Sequence, residues 1–287
     1  MRAISLHRDL IVVTSRLLQT NCTIIRGPSA ELTGPQAAAP GAGETFVVDS
    51  PILPDELALL PSLLEQARFP EPSGLLATHA DWDHLLGRLA FPEAALGCAE
   101  STAARLQAAP GAAQRELRDF DEQLYLEREH PLRLGSLQAL AVPGRCGIGE
   151  VELELHRADG HTRDGMAVWI PWARVLVAGD YLSSVEIPTL AAADAKAGMA
   201  EADTVQADGI EAYLATLERL RPLIVDAEHV VPGHGPVLDS AGALSVLEED
   251  ALYLQALREL GAAAALPAGR RGREQRRLHA ENVAAVR

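Results

Sequence analysis

Thr78-His79-Ala80-Asp81-Trp82-Asp83-His84 is the stretch whose reading decides this chain, because it packs two imidazoles and two carboxylates into one short segment. The residues before it, Gly74-Leu75-Leu76-Ala77, are apolar and opened by glycine, the pattern of a buried strand. Leu85 to Leu89 continues as the first turn of a helix, so the polar cluster falls on a loop at a strand's carboxyl end, where α/β folds collect their chemistry. Imidazole and carboxylate are ligands that zinc, manganese and iron accept, and alternate residues on a tight loop can converge on one point. A lone His-x-Asp would suit a solvated turn better. Four such side chains so close together point to a metal.

The loop resembles the signature Thr-His-x-His-x-Asp-His of the metallo-β-lactamase-fold hydrolases, with Asp81 standing where that pattern has its second histidine. The resemblance extends over roughly residues 10 to 240. Gly160-His161-Thr162 matches the family's third metal motif, Ala178-Gly179-Asp180 its bridging carboxylate, and Pro232-Gly233-His234-Gly235-Pro236 its last histidine. Asp49 lies where the family has a buttress of the metal loop, although a strand-end Asp capping the turn at Ser50-Pro51 fits the local sequence equally well. The resemblance implies an α/β protein, a four-layer αββα sandwich with C-terminal helices and the metal loops along one sheet edge. It also implies a ligand set of His79, Asp81, Asp83, His84, His161, Asp180 and His234, with Asp83 as the catalytic residue.

Composition narrows the class. The formal net charge of −15 disfavours a polyanionic partner, since nucleic-acid binding needs a basic footprint. No apolar run is long enough for a bilayer, and charge interrupts the first residues where a signal peptide would be apolar, so a cytoplasmic setting is expected. Cys22, Cys98 and Cys146 are widely spaced and form no Cys-x-x-Cys pair, which indicates neither a disulfide framework nor a thiolate site.

Along the chain, Leu10–Thr14, Asn21–Arg26 and Glu44–Asp49 read as strands opening an antiparallel sheet. Gly27 to Gly43, rich in Pro, Ala and Gly, reads as an exposed loop. A helix is expected from Pro54 to Ala67, interrupted at Pro61, and another capped by Ser101 and broken at Pro110-Gly111. Leu132–Val142 and Val151–His156 alternate like half-exposed antiparallel strands. Tyr181 to Gly209 is either a wall of the site or a surface helix, and His229 matches no ligand position. Ile210–Leu220, Ser240–Leu260 and Glu274–Val286 have helical periodicity. Residues 1–260 are expected to form the hydrolase domain, and 261–287 an Arg-rich helical tail packed on it. His279 and Asn282 share one face of that tail, where His279 or an arginine could close the pocket.

The expected function is metal-dependent hydrolysis of an ester, thioester or lactone-type small molecule by a metal-bound hydroxide, with two divalent cations, zinc foremost. His79, His161 and Asp81 would hold the first cation, Asp83, His84 and His234 the second, and Asp180 would bridge. The carboxylate of Asp81 adds charge and a harder donor, moving the first site towards iron or manganese, whether it binds directly or through water. The alternatives are an iron-dependent oxidoreductase of the persulfide-dioxygenase or diiron kind, built on His79, His161 and Asp180, and a degenerate member that binds a ligand without turnover.

Overall fold

In the computed structural model, residues 1–28, 43–190 and 209–286 are described. Most of the Gly27–Gly43 loop and of the Tyr181–Gly209 segment therefore lies outside the described residues.

Two sheets carry the fold. The first runs in sequence order: β1 (Arg2–His7), β2 (Leu10–Thr14), β3 (Asn21–Gly27), β4 (Glu44–Val48), β5 (Gly74–Ala77), β6 (Ala95–Ala99) and β7 (Leu137–Leu140). Pairing is antiparallel from β1 to β4 and parallel from β4 to β7. The second sheet has β12 (His229–Pro232), β11 (Val175–Gly179), β10 (Met166–Ile170), β9 (Val151–Arg157) and β8 (Gly144–Ile148) side by side. Only β11 and β12 pair in parallel there, joined by a crossover through α5 (Gly209–Asp226).

The layers follow from alternation along the strands. Leu10 and Val12 face one core and Ile11 and Val13 another, while in β11 Val175 and Val177 face inward and Leu176 and Ala178 outward. The shared inner core joins the two sheets. Beneath the first sheet lie α1 (Pro54–Ala67), α2 (Gly87–Ala90), α3 (Glu100–Ala108) and α4 (Ala112–Leu124). Outside the second lie α5, α6 (Ser240–Leu260) and α7 (Arg273–Ala285). Three cores between four layers make the αββα sandwich.

Several local expectations need correction. α1 is continuous through Pro61, because Leu57, Leu60 and Leu64 are buried as one stripe and the proline removes a single backbone donor. Ser101 lies inside α3 and caps nothing, since β6 runs straight into the helix with Ala99 at the cap position. Of Leu132–Val142 only β7 is a strand, and it pairs in parallel with β6. Alternation reports burial, and it is silent on the neighbour's direction.

Candidate metal centre

β5 ends at Ala77 and hands Thr78 and His79 to the loop, where a single helical turn over Trp82–His84 reverses the chain. The His84 N–H donates to the Asp81 carbonyl at 3.1 Å and closes that turn. His161 comes from the loop between β9 and β10, Asp180 directly follows β11, and His234 follows β12. The structure brings all seven expected side chains together. They gather at strand ends of both sheets, and not along the edge of one.

Outer contacts hold each ring. His84 Nδ1 lies 2.9 Å from Asp49 Oδ2, and His79 Nδ1 lies 3.1 Å from Thr78 Oγ1. His161 Nδ1 is 2.6 Å from Thr189 Oγ1 and 3.3 Å from the Thr189 carbonyl, and His234 Nδ1 is 3.0 Å from the Leu18 carbonyl. A ring nitrogen facing a carboxylate or carbonyl must donate, which leaves Nε2 of His84, His161 and His234 as a bare acceptor turned inward in the neutral ring.

Asp180 sits at the centre of those inward atoms. Its Oδ2 is 3.7 Å from His79 Nε2, 3.4 Å from His161 Nε2 and 3.3 Å from His234 Nε2, and its Oδ1 is 3.1 Å from His84 Nε2. To one side, Asp81 Oδ2 lies 3.5 Å from His79 Nε2 and 3.6 Å from His161 Nε2. To the other, Asp83 Oδ2 lies 3.3 Å from His234 Nε2 and 3.7 Å from His84 Nε2. Two triads result, His79–Asp81–His161 and Asp83–His84–His234, each with donor atoms close enough for one cation. Gly233 makes the central carboxylate possible, since a Cβ there would lie 1.9 Å from Asp180 Oδ1.

A cation fits this donor set. His79 Nε2, His84 Nε2, His161 Nε2 and Asp180 Oδ1 are buried without a hydrogen-bond partner, and all four converge on one place. Burial opposes every charge here, yet His234, His84 and His79 hold the Asp180 carboxyl well below its usual range. Asp81, only partly buried, is likewise held well down by His79 and His161. Against the same penalty, Asp180 leads the carboxylates that push His84 and His234 well above the ordinary imidazole range. Protons on these rings balance the cluster, and a bound cation would displace them.

Asp49 is a buttress. It accepts from Thr78 N at 2.8 Å and Thr78 Oγ1 at 2.9 Å besides meeting His84, and its own backbone is left-handed at φ 57°. The site roles of four further positions escape the local sequence reading, Asn282 standing out there only for the helix face it shares with His279. Arg105 of α3 meets Asp81, Asp164 accepts from Ala80 N, Thr189 meets His161, and Asn282 of α7 holds the backbone at Pro188 and Leu190. His279 turns instead to the Tyr253 hydroxyl at 2.9 Å, and Arg270 is buried against Asp250. Beside the cluster, Ser183, Glu186 and Thr189 line a pocket with Asp180 and His234. Burial, reinforced by Asp180 and Asp83, pushes the Glu186 carboxyl up despite His234.

An αββα sandwich with imidazoles and carboxylates converging from the strand ends defines a class of metal-site proteins. The chain belongs to the metallo-beta-lactamase superfamily, whose profile matches residues 16–234. No curated protein sequence matches it. Among solved structures it is similar to TTHA1429, a metallo-beta-lactamase family protein from Thermus thermophilus, with 20% identity, a TM-score of 0.66, and 98% of this chain and 93% of that one covered. A beta-lactamase domain protein from Burkholderia ambifaria gives 17% identity and a TM-score of 0.61, covering 99% of this chain and 86% of that one. TTHA1623, solved in a di-iron-bound form, gives 21% identity and a TM-score of 0.54 over 82% of this chain and 97% of that one. At these identities the likeness is one of fold.

Proposed function

We propose that the protein is a metal-dependent hydrolase of ester, thioester or lactone-type small molecules. The observation that carries this reading is the placement of the Asp180 carboxylate among four inward imidazole nitrogens, with a separate His/Asp triad on either side. His79, Asp81 and His161 would hold one divalent cation, Asp83, His84 and His234 another, and Asp180 would serve both. Zinc suits the second triad, and iron or manganese suits the first. A zinc ion held there would lower the pKa of its bound water to about 7, and either cation would polarise a carbonyl.

The chain's own residues supply the rest. Asp49, Thr78, Thr189 and the Leu18 carbonyl orient the rings, so little reorganisation is left for the reaction. His84 and His234 overcome burial to keep the Asp83 carboxylate ionised, which suits it to take a proton from the attacking water and return it to the leaving group. The negative net charge supports a small-molecule substrate over a nucleic acid, and the unpaired cysteines support a reducing, cytoplasmic setting. No helix among the described residues is long and apolar enough to cross a membrane. Residues 261–287 are read as an extension of the 1–260 domain, supported by Val283 packing in the core that α5 and α6 share.

One observation favours a second reading, an iron-dependent oxidoreductase: His79, His161 and Asp180 meet within 3.7 Å and offer two imidazoles and a carboxylate. The deciding experiment is the metal content of protein purified without chelator, alongside turnover of a thioester, lactone and ester panel. Two divalent ions per chain with hydrolysis support the first reading. Iron with oxygen consumption and no hydrolysis supports the second.

A further inference from the structure

Asp81 has the most accessible side chain of the seven, 31% exposed, and a carboxylate reaches less far from its backbone than an imidazole. One carboxylate oxygen is held from outside, because Arg105 Nη2 lies 2.8 Å from Asp81 Oδ1. The same guanidinium places Nη1 2.8 Å from Asp164 Oδ1, and Asp164 Oδ2 accepts from Ala80 N at 3.0 Å. Arg105 thereby ties α3 to the metal loop and to the loop that carries His161. Its fork fixes one oxygen of Asp81 and leaves Oδ2 towards His79 and His161.

We propose that Arg105 and Asp81 act as one unit in place of a histidine, with Arg105 aiming the free oxygen and offsetting part of its charge, so that the first site keeps its cation only while Arg105 is present. This rests on the metal-site reading above and deepens it. Arginine keeps its charge at any working pH, so the guanidinium, shared between Asp81 and Asp164, offsets part of the negative charge that Asp81 brings to the site. The guanidinium is 41% accessible, so the pair contributes little to folding, and its loss is felt at the metal. Arg105 is a positioning residue.

The test is a cycle of wild type, R105A, D81H and D81H/R105A. Each is loaded with zinc and separately with manganese, and stoichiometry and affinity are read by chelator competition, with the melting temperature of the metal-free protein as a check on folding. The expected result is that R105A weakens binding of the cation held by His79, Asp81 and His161 by roughly tenfold or more, with the other cation unaffected. R105A is expected to cost the D81H background at least about threefold less than it costs wild type, because the imidazole gives Nη2 no carboxylate oxygen and only the Asp164 contact is left to lose. If R105A does not fold, R105Q takes its place under the same criteria. Wild-type affinity in R105A, or an equal loss in the D81H background, overturns the proposal. A wild type that holds both cations alongside an unaffected R105A sinks this inference alone, whereas a wild type that holds none sinks the metal reading with it.

Discussion

Asp49 Oδ2 stands 2.9 Å from His84 Nδ1, which joins a strand end of the first sheet to the most buried imidazole of the cluster. The same carboxylate takes both the backbone and hydroxyl donors of Thr78. An outer partner of this kind sets which ring nitrogen is bare and where it points.

Asp49→Asn keeps the size and one acceptor but removes the charge that holds His84 Nδ1–H. Metal affinity is expected to fall by about 10–100-fold with the fold intact, and competition against a chelator measures it. Unchanged affinity would show that the ring is oriented by packing alone.

His161→Ala and His234→Ala should each lose a cation and cut kcat/KM by roughly a hundredfold or more, since each removes an inward Nε2 and one of the four rings around Asp180. Elemental analysis and turnover of the best panel substrate report both effects. Activity that survives the double replacement would rule out metal catalysis at this site.

Cys98 offers a contrast and a pH dependence. Burial, with help from Asp164, pushes its thiol up to about 11, so almost none is thiolate at pH 8 and Ellman's reagent should leave it unmodified in the native protein. An unfolded thiol titrates near 8.5, so between that pH and about 11 the native state holds a proton the unfolded chain has released. Native stability is then lost as pH rises through that window, by at most about 1.4 kcal/mol per unit. Cys98→Ala should keep activity and show a shallower fall in Tm between pH 8 and 10. An equal fall in both proteins would contradict the assignment.

Asn282 donates to the Pro188 carbonyl at 2.7 Å and accepts from Leu190 N at 2.9 Å, and Gln275 accepts from Ile187 N at 2.7 Å. Asn282→Ala leaves buried backbone groups unpaired and should cost about 1–3 kcal/mol. Because Thr189 lies between those anchors, affinity for the first cation should fall as well. Removing everything after Leu266 should do more harm; a folded, fully active truncation would show the tail to be dispensable.

Much of the fold is legible where residues face apolar surroundings on both sides. β2 and β3 announce themselves as β-branched runs, and α6 begins and ends where its periodicity does, with Asp239 accepting from Gly242 N at its start. β1 escapes a sequence reading, because an edge strand half in solvent carries Arg2, Ser5 and His7 without penalty. β8 escapes it because Gly144 and Gly147 dilute its pattern. The seven clustered side chains are legible through short motifs, each on one loop. Arg105, Thr189 and Asn282 are not, since their partners are remote in the chain and an arginine on an Ala-rich helix looks like any solvated one.

The grip of Asn282 on the segment that bears Thr189 also has a meaning in time. His161 leaves the ribosome long before Asn282 does, so its ring lacks its final orientation throughout most of translation. On the proposed metal-site reading, the triad of His79, Asp81 and His161 would therefore be complete and oriented only once the last helix has emerged and docked, so that this site would be filled by the finished protein.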